Sequence, residues 1–203
     1  MWVRLYKKYI KRAFDITLAL IGTIVLSPFF LILGIIIKLD APGPVFFKQK
    51  RVGIHKTHFN IIKYRTMRIE TPKDKPTHLL ENPEQYITRV GKFLRKSSLD
   101  ELPQIWNILL GHMSIVGPRP ALWNQDDLIA EREKLGANDI RPGLTGWAQI
   151  NGRDELPIDV KAKLDGEYAM NVTFKMDFKC FFGTIRCVIK REGVVEGSSN
   201  PPT

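Results

Sequence analysis

The 203-residue sequence has two cysteines, Cys180 and Cys187, too few for a disulfide framework or a thiolate metal site. They lie about two turns apart on one face of a helical pattern, which suits a reduced, cytosol-facing chain. Histidine is also scarce: His55, His78 and His112 fall in no ligand spacing and receive no metal role. Neither a Walker A nor a dinucleotide glycine fingerprint occurs, and no recognisable nucleic-acid motif is present. Acidic residues are outnumbered, 21 Asp plus Glu against 31 Lys plus Arg, for a formal charge of +10. That excess suits anionic partners, and without a base-reading motif it favours anionic lipid or phosphorylated substrates over nucleic acid. The length supports one good core and favours one domain over two.

One long stretch is free of charge altogether. From Ile16 to Ile37 the chain is apolar over a length that meets the rule of about 20 residues for crossing a bilayer. It exceeds a signal-peptide core, and no small-residue cleavage site follows. Ser27-Pro28 stands near its middle, where proline removes a backbone donor and bends or breaks a helix. Arg4, Lys7, Lys8, Lys11 and Arg12 precede the run; Lys38, Lys48, Lys50 and Arg51 follow it. With both flanks basic, the positive-inside rule cannot choose between them. A kinked spanning helix and a re-entrant hairpin bent at Ser27-Pro28 both fit, the hairpin using the Ser27 hydroxyl to satisfy freed backbone.

Beyond the run, Val45 to Phe47 and Phe59 to Ile62 read as short strands around a turn at Gly53. Lys63 and Arg65 would share a strand face, either as a solvated edge or as anion ligands. Residues 70–82 are polar and proline-broken, a candidate lid. Helices are expected over 86–94, 99–110, with a reset at Pro103, and 126–135, and a short strand over 113–116. Trp106 reads as core.

An acidic pair, Asp100-Glu101, interrupts the basic background between Arg89, Lys92, Arg95 and Lys96 upstream and Gly117-Pro118-Arg119-Pro120 downstream. Ser98-x-x-Glu101 matches a capping box, with Ser98 as N-cap. A phosphate site is compatible with that cap, because a helix N-terminus attracts anions and keeps a carboxylate ionised for nucleophilic attack. Prolines on both sides of Arg119 would hold its stem, in either a plain surface turn or a binding turn. Residues 138–153 gather glycines, arginines and amides in a loop suited to approach a polar ligand, with Trp147 either structural or a base platform.

The C-terminal third carries helical patterns over 158–170 and 175–190. In the second, Phe178, Phe181, Phe182 and Ile185 oppose Lys175, Lys179, Arg186 and Lys190, an arrangement of interfacial type that core packing would also explain. The expected class is therefore α+β and mostly helical: a membrane segment with basic flanks over 1–40, a cytosol-facing catalytic domain with short strands over 41–192, and a tail over 193–203.

These motifs together resemble the monotopic phosphoglycosyl transferases of the bacterial sugar transferase group. The resemblance rests on the Ser27-Pro28 break, Phe47-Lys48-Gln49 with Arg51-Val52-Gly53, Lys63-Tyr64-Arg65-Thr66-Met67, Arg95 through Ser98-Leu99-Asp100-Glu101-Leu102-Pro103-Gln104, Gly117-Pro118-Arg119-Pro120, and Arg141-Pro142-Gly143-Leu144-Thr145-Gly146 through Asn151-Gly152-Arg153. It implies transfer of a sugar 1-phosphate from a UDP-sugar to polyprenyl, usually undecaprenyl, phosphate with release of UMP, as a first membrane step of bacterial glycoconjugate assembly. It also implies a re-entrant helix-break-helix in the cytoplasmic (inner) membrane, a Mg²⁺ requirement and a phosphosugar carried on Asp100. Glu101 would hold Mg²⁺ with Asp100 or accept a proton. Lys63, Arg95, Arg119, Arg141 and Arg153 would contact phosphates or nucleotide. A noncatalytic basic scaffold in a glycan-assembly complex is the alternative, and homo-oligomer formation is left open.

Overall fold

The computed structural model describes residues 5–71, 82–152 and 155–190. Most of the lid expected over 70–82, Arg153 and the tail over 193–203 lie outside the described residues. Among the described residues the protein is mostly helical, with two small two-stranded sheets.

A π-helical segment, Tyr6–Ile10, runs into α1 (Lys11–Val25), which is followed by α2 (Ser27–Asp40). The apolar run forms both helices, and they are bent by 62° at their junction. Pro28 sits in the first turn of α2, where its missing N–H costs nothing. The Ser27 hydroxyl donates to the Ile24 carbonyl (2.8 Å), satisfying an acceptor that the proline leaves open.

Strands β1 (Phe46–Val52) and β2 (His58–Tyr64) pair antiparallel from Phe46↔Tyr64 to Val52↔His58. Their turn is centred on His55 and Lys56, not on Gly53; both central residues are left-handed (φ 52° and 58°). Two consecutive positive φ values match the right-handed twist of a hairpin. His55 pairs with Asp139 and Lys56 with Glu133, contacts that hold this unfavourable backbone in place.

Next come α3 (Arg89–Lys96), a 3₁₀ turn over Leu99–Glu101 and α4 (Gln104–Leu109). The expected helix over 99–110 is thus interrupted, with Pro103 as the residue before α4. Strand β3 (Ser114–Val116) pairs in parallel with β4 (Gly143–Thr145), with α5 (Asp126–Lys134) between them. Helices α6 (Trp147–Ile150), α7 (Ile158–Met170) and α8 (Phe174–Lys190) complete the chain. Where Gly117 crosses Gly143, a Cβ on either would meet the other segment's backbone within 2.3 Å, so both positions exclude a side chain.

The helical pair is tied to the rest at both ends. At its entry, buried Asp15 accepts from Ser114 Oγ (2.7 Å) and the Ile115 N–H (3.0 Å), while Arg12 donates to the Ile108 and Leu109 carbonyls. Lys11 and Tyr6 both reach Asp177 of α8. At its exit, Arg65 is buried and donates to the carbonyls of Ala41, Pro42 and Pro44, each at 2.7 Å. Asp40 accepts the Val90 N–H at the start of α3. The inner face of α2, through Phe30, Leu33 and Ile37, packs with Tyr64, Leu94 and Trp106, so Trp106 is a core residue.

Arg65 is therefore neither a solvated edge nor a ligand in reserve; it is the clamp on the hairpin exit. Replacing it by Met strands three carbonyls, and the unfolding free energy in detergent should fall by about 3 kcal/mol or more, measured by denaturant titration.

Candidate active site

Three elements bring opposite charges together. The hairpin ends with Lys63 at the inner end of β2, α3 carries Arg95 in its last turn, and the Pro118-Arg119-Pro120 turn follows β3. Between them the 3₁₀ turn presents Asp100 and Glu101.

Glu101 is held from two sides: its Oε1 accepts from Lys63 Nζ (2.8 Å) and Arg119 Nη2 (2.9 Å), and its side chain is only 13% exposed. Asp100 receives no hydrogen bond from a described residue, yet Lys63, Arg95 and Arg119 all act on its charge. Environment separates the two acids. Burial pushes the Asp100 carboxyl up to about 6; Glu101 reinforces that, while Lys63, Arg95 and Arg119 oppose it. For Glu101 burial also pulls upward, but Arg119 and Lys63 outweigh it and hold the carboxyl well below its ordinary value. Lys63 is lowered by its own burial, with Glu101 opposing. The result is one hydrogen-bonded carboxylate held in its ionised form beside one carboxyl, raised to about 6, that no described residue bonds, a division suited to a nucleophile and its support.

The capping box is not formed. Ser98 is left-handed (φ 56°) and its side chain caps nothing, because Glu101 is committed to Lys63 and Arg119. α4 begins three residues later, so the pair stands on a 3₁₀ turn and not in the first turn of an α-helix. Ser98 instead kinks the chain between α3 and the acids, a non-glycine residue in a costly backbone region that the surrounding contacts enforce.

Of the cations expected at the site, Lys63, Arg95 and Arg119 are present. Arg141 donates from Nε to the Gly111 carbonyl (3.0 Å), lines a cavity with Lys7, Lys11 and Arg12, and makes no bond to either acid. Trp147 gives its indole N–H to Glu167 (2.9 Å) and packs against the core around Tyr168, which is a structural role. The sequence reading missed two contributors. Arg51, on β1, acts on the Lys63 charge and bonds the Pro120 carbonyl. Arg132, on α5, is buried and reaches the Arg119 carbonyl. Arg51 lay within a quoted motif; Arg132 stood in a charged helix with nothing to mark it as the inward-facing member.

The family model described as bacterial sugar transferase matches residues 6–191. The sugar transferase EpsL of Bacillus subtilis is 40% identical over 185 residues, covering 91% of this chain and 90% of that protein. The undecaprenyl-phosphate glucose phosphotransferase of Komagataeibacter xylinus is 37% identical over 87% of this chain, which spans 35% of that longer protein. For the UDP-N-acetylgalactosamine-undecaprenyl-phosphate N-acetylgalactosaminephosphotransferase of Aeromonas hydrophila the values are 35%, 89% and 44%.

The raised Asp100 carboxyl has a stability consequence of fixed sign. Below about pH 4 it is neutral in both folded and unfolded chains; as pH rises through about 6, the folded state must ionise a half-buried group that the unfolded chain has already ionised. Folded stability therefore falls over that window. Asp100→Asn should raise the unfolding midpoint at pH 8 and leave it nearly unchanged at pH 4, measured by thermal unfolding at both.

Proposed function

This chain belongs to the bacterial sugar transferase family, and on that premise we propose that it transfers a sugar 1-phosphate from a UDP-sugar to undecaprenyl phosphate through a covalent intermediate on Asp100. The observation that carries the reading is the split pair: a bonded, ionised Glu101 next to an unbonded Asp100 facing three cations. The names of the relatives in Komagataeibacter and Aeromonas support the acceptor class.

In the first step an Asp100 carboxylate oxygen attacks the phosphorus that bears the sugar. A carboxyl-oxygen–phosphorus bond forms, the bridging diphosphate bond breaks, and UMP departs with the electron pair. In the second, an oxygen of undecaprenyl phosphate attacks the same phosphorus and Asp100 leaves as carboxylate. Arg95, Arg119 and Lys63 neutralise the equatorial and departing oxygens, the main service a protein provides to phosphoryl transfer. Glu101 fixes Lys63 and Arg119 in register.

A Mg²⁺ ion fits the donor set. Glu101 Oε2 and the Asp100 oxygens accept no hydrogen bond from a described residue, and Mg²⁺ is usually held by one or two carboxylates with substrate phosphates completing its shell. When bound it would supply further charge neutralisation on the diphosphate.

The apolar pair is read as a re-entrant hairpin in the cytoplasmic membrane. Each helix alone spans roughly 22 Å at about 1.5 Å per residue, short of a hydrocarbon core of about 30 Å. Leu20, Ile24, Val25, Leu31, Ile35 and Leu39 are half to four-fifths exposed, an apolar area that water would not tolerate on a monomer. Phe178, Phe181 and Phe182 are likewise exposed, while Cys180 takes the buried side of α8; core packing does not account for these rings. They would rest at the headgroup level beside the hairpin.

The deciding experiment is UMP release by the purified protein with undecaprenyl phosphate, Mg²⁺ and a panel of UDP-sugars. Asp100→Asn should fold and lose at least about a thousandfold in rate; substantial turnover by this variant defeats the covalent mechanism. The acid limb of kcat/KM should lie near or below pH 6 and move to lower pH as Mg²⁺ is raised, since metal and proton compete for the same oxygens. Replacing Phe178, Phe181 and Phe182 together by Ser should weaken partitioning to vesicles; unchanged partitioning removes α8 from the interface.

A further inference from the structure

Behind the acid pair lies a buried ion pair to which the reaction assigns no task. Arg132 of α5 is 5% exposed at its side chain and Asp165 of α7 is 1% exposed. Arg132 Nε and Nη2 both donate to Asp165 Oδ2, at 2.8 and 2.5 Å. The remaining arm, Nη1, donates to the backbone carbonyl of Arg119 at 3.0 Å. Arg119 in turn reaches Glu101 Oε1, which Lys63 also holds.

Isolated pairs of this kind are poor sources of stability, because desolvating two charges consumes most of their attraction. Asp165 Oδ1 is moreover buried with no hydrogen-bond partner, a further cost. What the arrangement does accomplish is geometric. A guanidinium is planar and rigid; once Asp165 fixes two of its nitrogens, the direction of the third is fixed too. That direction is the carbonyl of the residue whose side chain clamps Glu101.

We propose that Arg132, oriented by Asp165, is a positioning residue that sets the Arg119 turn against the Asp100-Glu101 pair and so tunes the reaction from outside the site. The inference rests on the assignment of Asp100 and Glu101 as the reacting pair. Proline on each side of Arg119 restricts the turn's shape; the Gly143 N–H and Arg51 hold its flanks through the Pro118 and Pro120 carbonyls, and Arg132 holds the carbonyl of Arg119 itself. A displacement near 1 Å in such a site can cost up to about a hundredfold in rate.

Two variants test it. Arg132→Lys keeps the charge beside Asp165 but cannot bond Asp165 and the Arg119 carbonyl through one rigid fork. The pair Arg132→Met with Asp165→Leu removes both charges together, a replacement that buried ion pairs commonly tolerate without loss of fold. For each, thermal unfolding, kcat and KM for the UDP-sugar, and a ¹³C-detected titration of the Asp100 carboxyl are measured. Asp100 is faced by Glu101, Lys63 of β2, Arg95 of α3 and Arg119, and of these only the Arg119 turn is bonded by Arg132. The expected result is a folded protein whose kcat falls roughly ten- to hundredfold with KM changed far less. The Asp100 titration should move to higher pH, because a cation that lowers it is less well held. Wild-type kcat and an unmoved Asp100 titration in folded Arg132→Lys overturn the proposal. If the double variant does not fold, Arg132→Lys decides alone. Asp100→Asn run in parallel separates the two levels: turnover by that variant defeats the reading of the acid pair, whereas its inactivity beside a wild-type Arg132→Lys defeats only the positioning role.

Discussion

Two adjacent carboxylates cannot both be left unpaired in a site of low polarity, and the rest of the structure follows from how that conflict is resolved. Glu101 takes the hydrogen bonds of Lys63 and Arg119; Asp100 takes only their field. To keep that asymmetry, a strand end, a proline-flanked turn and a helix end must meet at one place. The β1–β2 hairpin, the Gly117–Gly143 crossing and α3 are the elements that make them meet.

The same elements fix the site to the apolar hairpin. Lys63 and Arg65 are two residues apart, and they face different problems. The first completes the charge cluster, and the second ties off the end of α2 through three backbone carbonyls. Leu94 lies one residue before Arg95, which acts on the Asp100 charge, and packs against Phe30 and Leu33 of α2. The charge cluster and the attachment of the apolar helices are therefore carried by neighbouring residues on shared elements.

Much of this was legible in the sequence, for identifiable reasons. An amphipathic pattern marked α8, charge and helical spacing marked α5 and α7, and proline marked the break at Ser27-Pro28. The acid pair stood out because it interrupted a basic background. What the sequence hid was competition between equally good local partners. Ser98-x-x-Glu101 is a sound capping box until Lys63 and Arg119 arrive from distant segments and claim Glu101. The turn at His55-Lys56 is left-handed without glycine, and its side chains meet Asp139 and Glu133 from distant segments that local sequence does not reveal. Arg141 looked like Arg119 in composition, and only the path of the chain directs it to Gly111.

Asp177 accepts from Tyr6, Lys11 and Tyr168, joining residues up to 171 positions apart. During synthesis both apolar helices are made long before that carboxylate exists. The root of the helical pair thus stays without this fastener until α8 has been made, and its closure is a late step of folding. A chain stopped before residue 177 would carry both apolar helices with their base unfastened.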